Sequence, residues 1–283
     1  MTEMVGISRH VAVDEYTDRQ ISRLSTTIDD YLAKVSRLPG LTSGIAKRAL
    51  ALAEHRSLRD PEAEERETYA AVLLAAQAGS GFFATANRAE GSFAYTVGSV
   101  RTVEGTGPTR SHGPANWLDA LWTSVICRGR HLVHELCRTP GQTLRGGGGG
   151  FDAYMHAWID ALRTFFEGGD DLYSKINRSI ELTAPDALRG TPAEIVLLRY
   201  YPSMKLLFSL AAGNGGQFNE DLREAVELHR RFWTADSERA GMPEGFIALA
   251  PTALAAIAHD KGFVLEVESE YLPKNLIQGT WVN

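Results

Sequence analysis

The chain has 283 residues, 44% hydrophobic and 23% charged, and its 29 basic and 35 acidic side chains leave a formal charge of −6. That balance is ordinary for a globular protein. A mildly acidic chain gains nothing from counterion release on a phosphate backbone, which argues against nucleic acid as a partner. The amino terminus, Met1-Thr-Glu-Met-Val-Gly6, has neither a basic n-region nor an apolar h-region, and no uncharged apolar run reaches membrane-span length. A cytoplasmic protein without membrane contact is therefore expected. The only cysteines, Cys127 and Cys137, would stand about 15 Å apart on one helix, beyond the roughly 7 Å reach of a disulfide, and read as reduced thiols.

Thr17 to Leu38 carries Ile21, Leu24, Ile28, Leu32 and Val35 at helical spacing and stops at Pro39-Gly40. A second helix is predicted from Ser43 to Arg59. Pro61 then suits the first turn of a third, with Glu62, Glu64 and Glu65 beside its positive end, continuing to about Asn87 with a kink or fraying at Gly79-Ser80-Gly81. Alternation over Phe93, Tyr95 and Val97, then Val100 to Val103, with Gly98-Ser99 between, predicts a short hairpin within 91–104. A loop leads to a fourth helix from Ala115 to Arg138. Thr139-Pro140-Gly141 and the glycine run Gly146 to Gly150 read as a connector; that run lacks the Lys-Ser/Thr of a phosphate loop. Further helices are predicted at 151–167, 170–183, 191–212, 218–236 and 244–261, with Asn219-Glu220-Asp221 as one helix opening and 213–216 as a stop. The tail from Phe263 to Tyr271 reads as extended, followed by a final turn ending at Trp281. The fold class is thus all-α: one domain over 1–283, with N-terminal helices in 1–62 and the main body in 63–283, a short β-hairpin and an extended C-terminal tail.

One phrase occurs twice. Trp117-Leu-Asp-Ala-Leu-Trp-Thr123 returns 41 residues later as Trp158-Ile-Asp-Ala-Leu-Arg-Thr164, identical at five of seven positions. That interval is about one helical hairpin of a stacked-repeat architecture, which would present a broad surface to a partner. Two amphipathic helices sharing Trp, Ala and Leu would spell the same phrase.

Four side chains, Cys127, His131, His134 and Cys137, fall within about 120° on the predicted fourth helix and resemble zinc ligands. One helix aims only an adjacent pair at an ion, and the other donors, His156 and His229, are joined to them by no motif. A Cys/His core face explains the same spacing. Neither a His-Glu-x-x-His helix nor a Gly-x-Ser-x-Gly elbow occurs. Asp119 and Asp160 share a place in the repeated phrase and could pair as carboxylates, or simply face solvent. His229-Arg230-Arg231-Phe232-Trp233, followed by Asp236, has the aromatic and arginine composition of interface hot spots. Glu266, Glu268 and Glu270, ahead of Tyr271, would project from one face of an extended tail and suit a basic partner. Binding ahead of chemistry is the reading these residues favour. Its rival is an enzyme or a small-molecule- or metal-binding protein with a helical pocket lined by His131, His134, His156 and His229.

Several stretches resemble the immunity protein 49 family of bacterial polymorphic toxin systems: Gly113-Pro-Ala-Asn-Trp117 through Arg128, Tyr154-Met-His-Ala-Trp158 through Leu162, Tyr201-Pro202, Glu227-Leu-His-Arg-Arg-Phe-Trp-Thr-Ala-Asp236, Ile247 to Pro251, and Glu266 through Pro273. Together they span roughly 65–283. The resemblance implies a helical protein that binds and neutralises a cognate toxin stoichiometrically, with no cofactor. It brings no catalytic residues. The contact residues expected on this reading are Arg230, Trp233, Asp236, Glu266, Glu268, Glu270 and Tyr271.

Overall fold

A computed structural model describes residues 5–146 and 150–282; the middle of the expected glycine connector, Gly147 to Gly149, lies outside the described residues. Helices dominate, with short strands between them, as the periodicity predicts. In chain order the chain forms β1 (Val5–Ile7), α1 (Glu15–Lys34), α2 (Leu41–Arg59), α3 (Arg66–Ala86), β2 (Ser92–Val97), β3 (Ser99–Glu104), α4 (Pro114–Ile126), α5 (Arg130–Cys137) and α6 (Gly141–Gly146). It continues with α7 (Ala153–Glu167), α8 (Leu172–Glu181), α9 (Ala193–Ile195), α10 (Tyr201–Ala211), α11 (Gly215–Trp233), α12 (Ser237–Ala240), α13 (Leu249–Asp260), β4 (Val267–Ser269) and α14 (Lys274–Gln278). Two compact units emerge. An N-terminal helical unit comprises Val13–Asp60 and Glu64–Gly149 with Trp281–Asn283, and a C-terminal unit comprises Gly150–Thr280 with Met1–Ala12 and Pro61–Ala63.

In the N-terminal unit, α1 opens on a capping box in which the Asp14 carboxylate accepts from the Thr17 amide at 2.9 Å. Val35, Ile45, Ala78 and Val97 bring the end of α1, α2, α3 and the hairpin into one core, flanked by Tyr31, Leu32, Leu74 and Tyr95. The third helix starts at Arg66, five residues later than Pro61 suggests. The Asp60 carboxylate is the reason: it accepts from the amides of Glu64 (2.7 Å) and Glu65 (2.9 Å) and from the Thr68 hydroxyl (2.7 Å), and so folds a turn ahead of the helix. The helix also runs unbroken through Gly79-Ser80-Gly81. Those glycines serve close approach: a Cβ at Gly79 would lie 2.8 Å from the Ala120 Cβ on α4, and one at Gly81 would lie 3.0 Å from the Tyr95 ring. By length and composition α3 could cross a membrane, yet 72% of its most apolar window is buried, as in a core helix.

The hairpin forms as predicted, with Phe93 opposite Val103 and Tyr95 opposite Arg101, reversing at Gly98 with φ 71°. The fourth predicted helix, by contrast, is two. Arg128 adopts φ 53°, a left-handed residue that ends α4, and α5 starts two residues later. The indole N–H of Trp117 donates to the Leu136 carbonyl at 2.9 Å, joining α5 to α4.

In the C-terminal unit, the buried Asp152 carboxylate before α7 accepts from the amides of Arg189 (2.7 Å), Gly190 (3.1 Å) and Thr191 (2.7 Å). The predicted helix at 191–212 is interrupted by a π turn, Val196–Tyr200, just before Pro202. Proline has no N–H to give and its ring crowds the carbonyl four residues back, so the helix widens there. α11 begins at Gly215, with Asn214 as its N-cap (3.1 Å to the Gln217 amide) and Gly213 left-handed at φ 69°. The predicted opening Asn219-Glu220-Asp221 therefore lies inside the helix. Asn219 and Asp221 are buried there: Asp221 meets the Lys205 ammonium at 3.3 Å, and Asn219 binds the tail. That tail is strand only at β4, which pairs in parallel with β1 in the register Val5–Val267, Gly6–Glu268, Ile7–Ser269.

The two tryptophan phrases lie on α4 and α7, one in each unit. Trp117 and Trp158 are both buried, Asp119 and Asp160 each face solvent, and Thr123 and Thr164 donate to the carbonyls of Asp119 (2.8 Å) and Asp160 (2.9 Å). The shared spelling is that of a buried helix face with a polar back.

Close approach of α3 to α4 sets one expectation. Gly79→Ala gains about 1 kcal/mol of helix propensity but forces the Ala120 backbone away, so a net loss of about 1–2 kcal/mol is expected in urea unfolding. Gly216→Ala, exposed on α11 with only ordinary contact at 3.8 Å, is the control and should be neutral or stabilising.

Candidate partner-binding site

The tail residues and the aromatic end of α11 come together in the C-terminal unit. The β1–β4 ribbon has one covered and one open face. Ile7 is buried, whereas Gly6, Ser8, Glu268 and Glu270 are exposed. Over the ribbon lies a cleft of about 520 Å³, lined by Gly6, Ser8, Glu268 and Glu270 together with Glu62, Leu265, Leu272, Lys274 and Ile277. Glu62 is fixed in the wall because its carbonyl accepts from the Asn275 amide (2.9 Å) and side chain (3.0 Å) at the start of α14.

Side chains beside the ribbon hold it in place. The Ser269 hydroxyl donates to the Ile7 carbonyl at 2.6 Å, and the Arg9 amide donates to the Glu270 carboxylate at 2.8 Å. The Arg9 guanidinium reaches the Glu270 carbonyl, and burial lowers its pKa to about 10. The Tyr271 hydroxyl accepts from the His10 amide (3.1 Å) and meets His10 Nδ1 (2.7 Å), while His10 Nε2 meets the Ala240 carbonyl (3.2 Å). A neutral ring with its proton on Nε2 satisfies all three contacts: the tyrosine donates to Nδ1 and the ring donates to Ala240. Burial lowers the His10 pKa, in keeping with that form. On α11, Asn219 donates to the Val264 carbonyl (2.8 Å) and accepts from the Glu266 amide (2.9 Å).

The aromatic cluster continues from Tyr271. The His229 ring lies 5.0 Å from Tyr271 and 6.1 Å from Trp233, and its Nε2 meets the Gly245 carbonyl at 3.0 Å. A Cβ at Gly245 would be 2.8 Å from Trp233, so only glycine allows this backbone approach. Burial pushes the His229 pKa down to about 3, against the opposing pull of the Gly245 bond and with Arg199 lowering it further. The π turn carries Arg199 over the rings of Trp233 (4.9 Å) and Phe232 (5.3 Å). Arg239 lies over Phe232 at 4.5 Å and pairs with Glu194 (3.1 Å) and Asp236 (3.2 Å).

The seven expected contact residues thus take different positions. Arg230, Asp236, Glu268 and Glu270 are exposed, although Asp236 also caps α12 and Glu270 is engaged by Arg9. Trp233 and Tyr271 are interior and shape the surface from beneath. Glu266 was expected on one face with Glu268 and Glu270; it precedes β4, is half-buried, and is not among the residues that line the cleft. Sequence reasoning did not find Glu62, Lys274 or Gly6, because nothing local marks residues brought together from three distant segments.

The Cys/His face is corrected by the break at Arg128. Cys127 caps α4, where burial pushes its thiol up to about 12 beside the Tyr69 hydroxyl, while His131, His134 and Cys137 are on α5. His131 and His134 point to solvent and both cysteines are buried. His156 and His229 belong to the other unit, His156 on α7 and His229 in the cluster above. Among the described residues no group of three or more His, Cys, Asp or Glu side chains is arranged to hold a metal ion.

A family model described as Immunity protein 49 matches residues 60–276, nearly the stretch over which the sequence resembles that family. Comparison with curated proteins and with solved structures gives no match.

The half-buried His229, its Nε2 on the Gly245 carbonyl, makes a pH dependence. An unfolded histidine titrates near 6.5 and the folded one near 3, so between those values the unfolded chain binds the extra proton and stability falls as pH drops. His229→Gln keeps an N–H donor for Gly245 and does not titrate. It should lose less stability than the wild type between about pH 7 and about pH 4.5 in urea unfolding. Equal losses in the two proteins would contradict a neutral His229 held on the Gly245 carbonyl.

Proposed function

Because the chain belongs to the Immunity protein 49 family, we propose that it neutralises a cognate toxin of a bacterial polymorphic toxin system by forming a tight, stoichiometric complex in the cytoplasm. The observation that carries this reading is the family match over residues 60–276, most of the chain. Inhibition by occlusion needs no bond making: covering an active site or substrate channel with a standard interface of about 1,200–2,000 Å² is sufficient.

The surface described above suits that role in two ways. It presents exposed charges: Arg199 on the π turn, Arg230 on α11, Glu62 in the turn ahead of α3 and Glu268 on β4. Its aromatic side chains are packed beneath, and Arg199 is held over Trp233 and Phe232 and Arg239 over Phe232. Pre-organised contacts of this kind lower the entropy cost of association.

The decisive experiment is co-expression with the toxin encoded beside the gene. A one-to-one complex on size-exclusion chromatography and survival of the toxin-expressing host are expected. Free passage of both proteins through the column, with no protection of the host, would remove this reading.

A further inference from the structure

We propose that the cleft over the β1–β4 ribbon docks an extended, lysine- or arginine-bearing segment of the toxin; this rests on the toxin-binding reading above. Four features of the cleft carry the inference.

The first is room. A volume of about 520 Å³ is in the range of cavities that enclose small molecules or a few side chains. At its floor Gly6 has no side chain, and a Cβ built there would meet nothing within 4 Å. The second is periodicity. Glu268 lies on β4 opposite Gly6, and Glu270 opens the turn closed by the Leu272 amide on the Ser269 carbonyl, so the two carboxylates follow one another along the end of the ribbon, where an extended partner's alternate side chains, roughly 7 Å apart, can address both. The third is charge. Three carboxylates (Glu62, Glu268, Glu270) and one ammonium (Lys274) line the cleft, with the Arg9 guanidinium beside Glu270 outside the lining, so the carboxylates outnumber the cations. Among the described residues no cation comes within ion-pair distance of the carboxylates of Glu62 or Glu268. The fourth is the apolar wall. Phe263 and Leu265, half-buried in the cleft's lining and backed by the buried Leu272 and Ile277, offer burial to the aliphatic stems of lysine or arginine, which carry apolar carbons up to a charged tip. An acidic segment would be repelled here and drawn instead to the exposed Arg199 and Arg230 of the same unit.

The test uses the free protein and two probes, acetylated peptides of about eight residues alternating Lys with Val or Glu with Val, long enough to cross the ribbon when extended. Their binding is followed through backbone amide shifts. The Lys/Val peptide is expected to shift Gly6, Ser8 and Glu268. Its Kd should rise at least about tenfold in the Glu62→Lys/Glu268→Lys double variant and stay within about twofold in Arg230→Glu. Both sites substituted in the double variant are exposed, and an otherwise unchanged amide spectrum establishes that it is folded. Shifts confined to other surfaces, no binding, or preferential binding of the Glu/Val peptide at the cleft would each overturn the proposal. Those results leave toxin neutralisation standing, which the co-expression experiment decides separately.

Discussion

Parallel pairing of Val5–Ile7 with Val267–Ser269 is the constraint on which the C-terminal unit's surface depends. Two parallel strands alone are at best marginally stable in water, so the ribbon needs other support. It receives it from side chains within a few residues of the pairing: Ser269 on the Ile7 carbonyl, Arg9 on Glu270, and His10 on Tyr271. The Tyr271 carbonyl in turn accepts from the Ala248 amide at 2.9 Å, just ahead of α13. Without the pairing, Gly6 and Ser8 would not meet Glu268 and Glu270, and the cleft would have no floor.

Three polar groups beneath this surface, His10, His229 and Asp221, have their partners within the unit, which lowers the cost of burying them. His10 satisfies both ring nitrogens as a neutral tautomer, the half-buried His229 meets the Gly245 carbonyl, and Asp221 is buried opposite Lys205. α11 is the element that links them. Along its length it supplies Asn219 to the tail, Asp221 to α10, His229 to the loop before α13, and Phe232 and Trp233 to the arginines above. The charges that remain exposed, Glu268 on the ribbon and Arg199 and Arg230 at the helical end, are therefore mounted on an interior with few ways to shift.

What the sequence made legible is local and periodic. Apolar residues at helical spacing located α1, α2 and α7 within a few residues, and strand alternation around Gly98 located the hairpin. Deviations came where a distant or single-residue effect outweighed the period. Arg128 turns left-handed inside an otherwise continuous helical pattern, with Gly129 as the only printed hint. Asp60 captures the amides that Pro61 seemed to release to a helix. Asn219-Glu220-Asp221 has the composition of a helix start, yet its amide and carboxylate are used by Val264, Glu266 and Lys205. The acidic alternation of the tail was readable from the residues. Its opposing wall was not, since Val-Gly-Ile at the amino terminus is too short to carry a period and Glu62 belongs to a turn.

Because the C-terminal unit takes its first strand from one end of the chain and its last from the other, its completion is ordered in time. At about 5–20 residues per second, β1 leaves the ribosome roughly 13–50 s before β4 exists to pair with it. The intervening helices α1 to α5 find their partners close by in sequence and are free to fold during that interval. A strand of three residues presents little edge for mispairing while it waits. Brevity at β1, costly for ribbon stability, is thus an asset during synthesis.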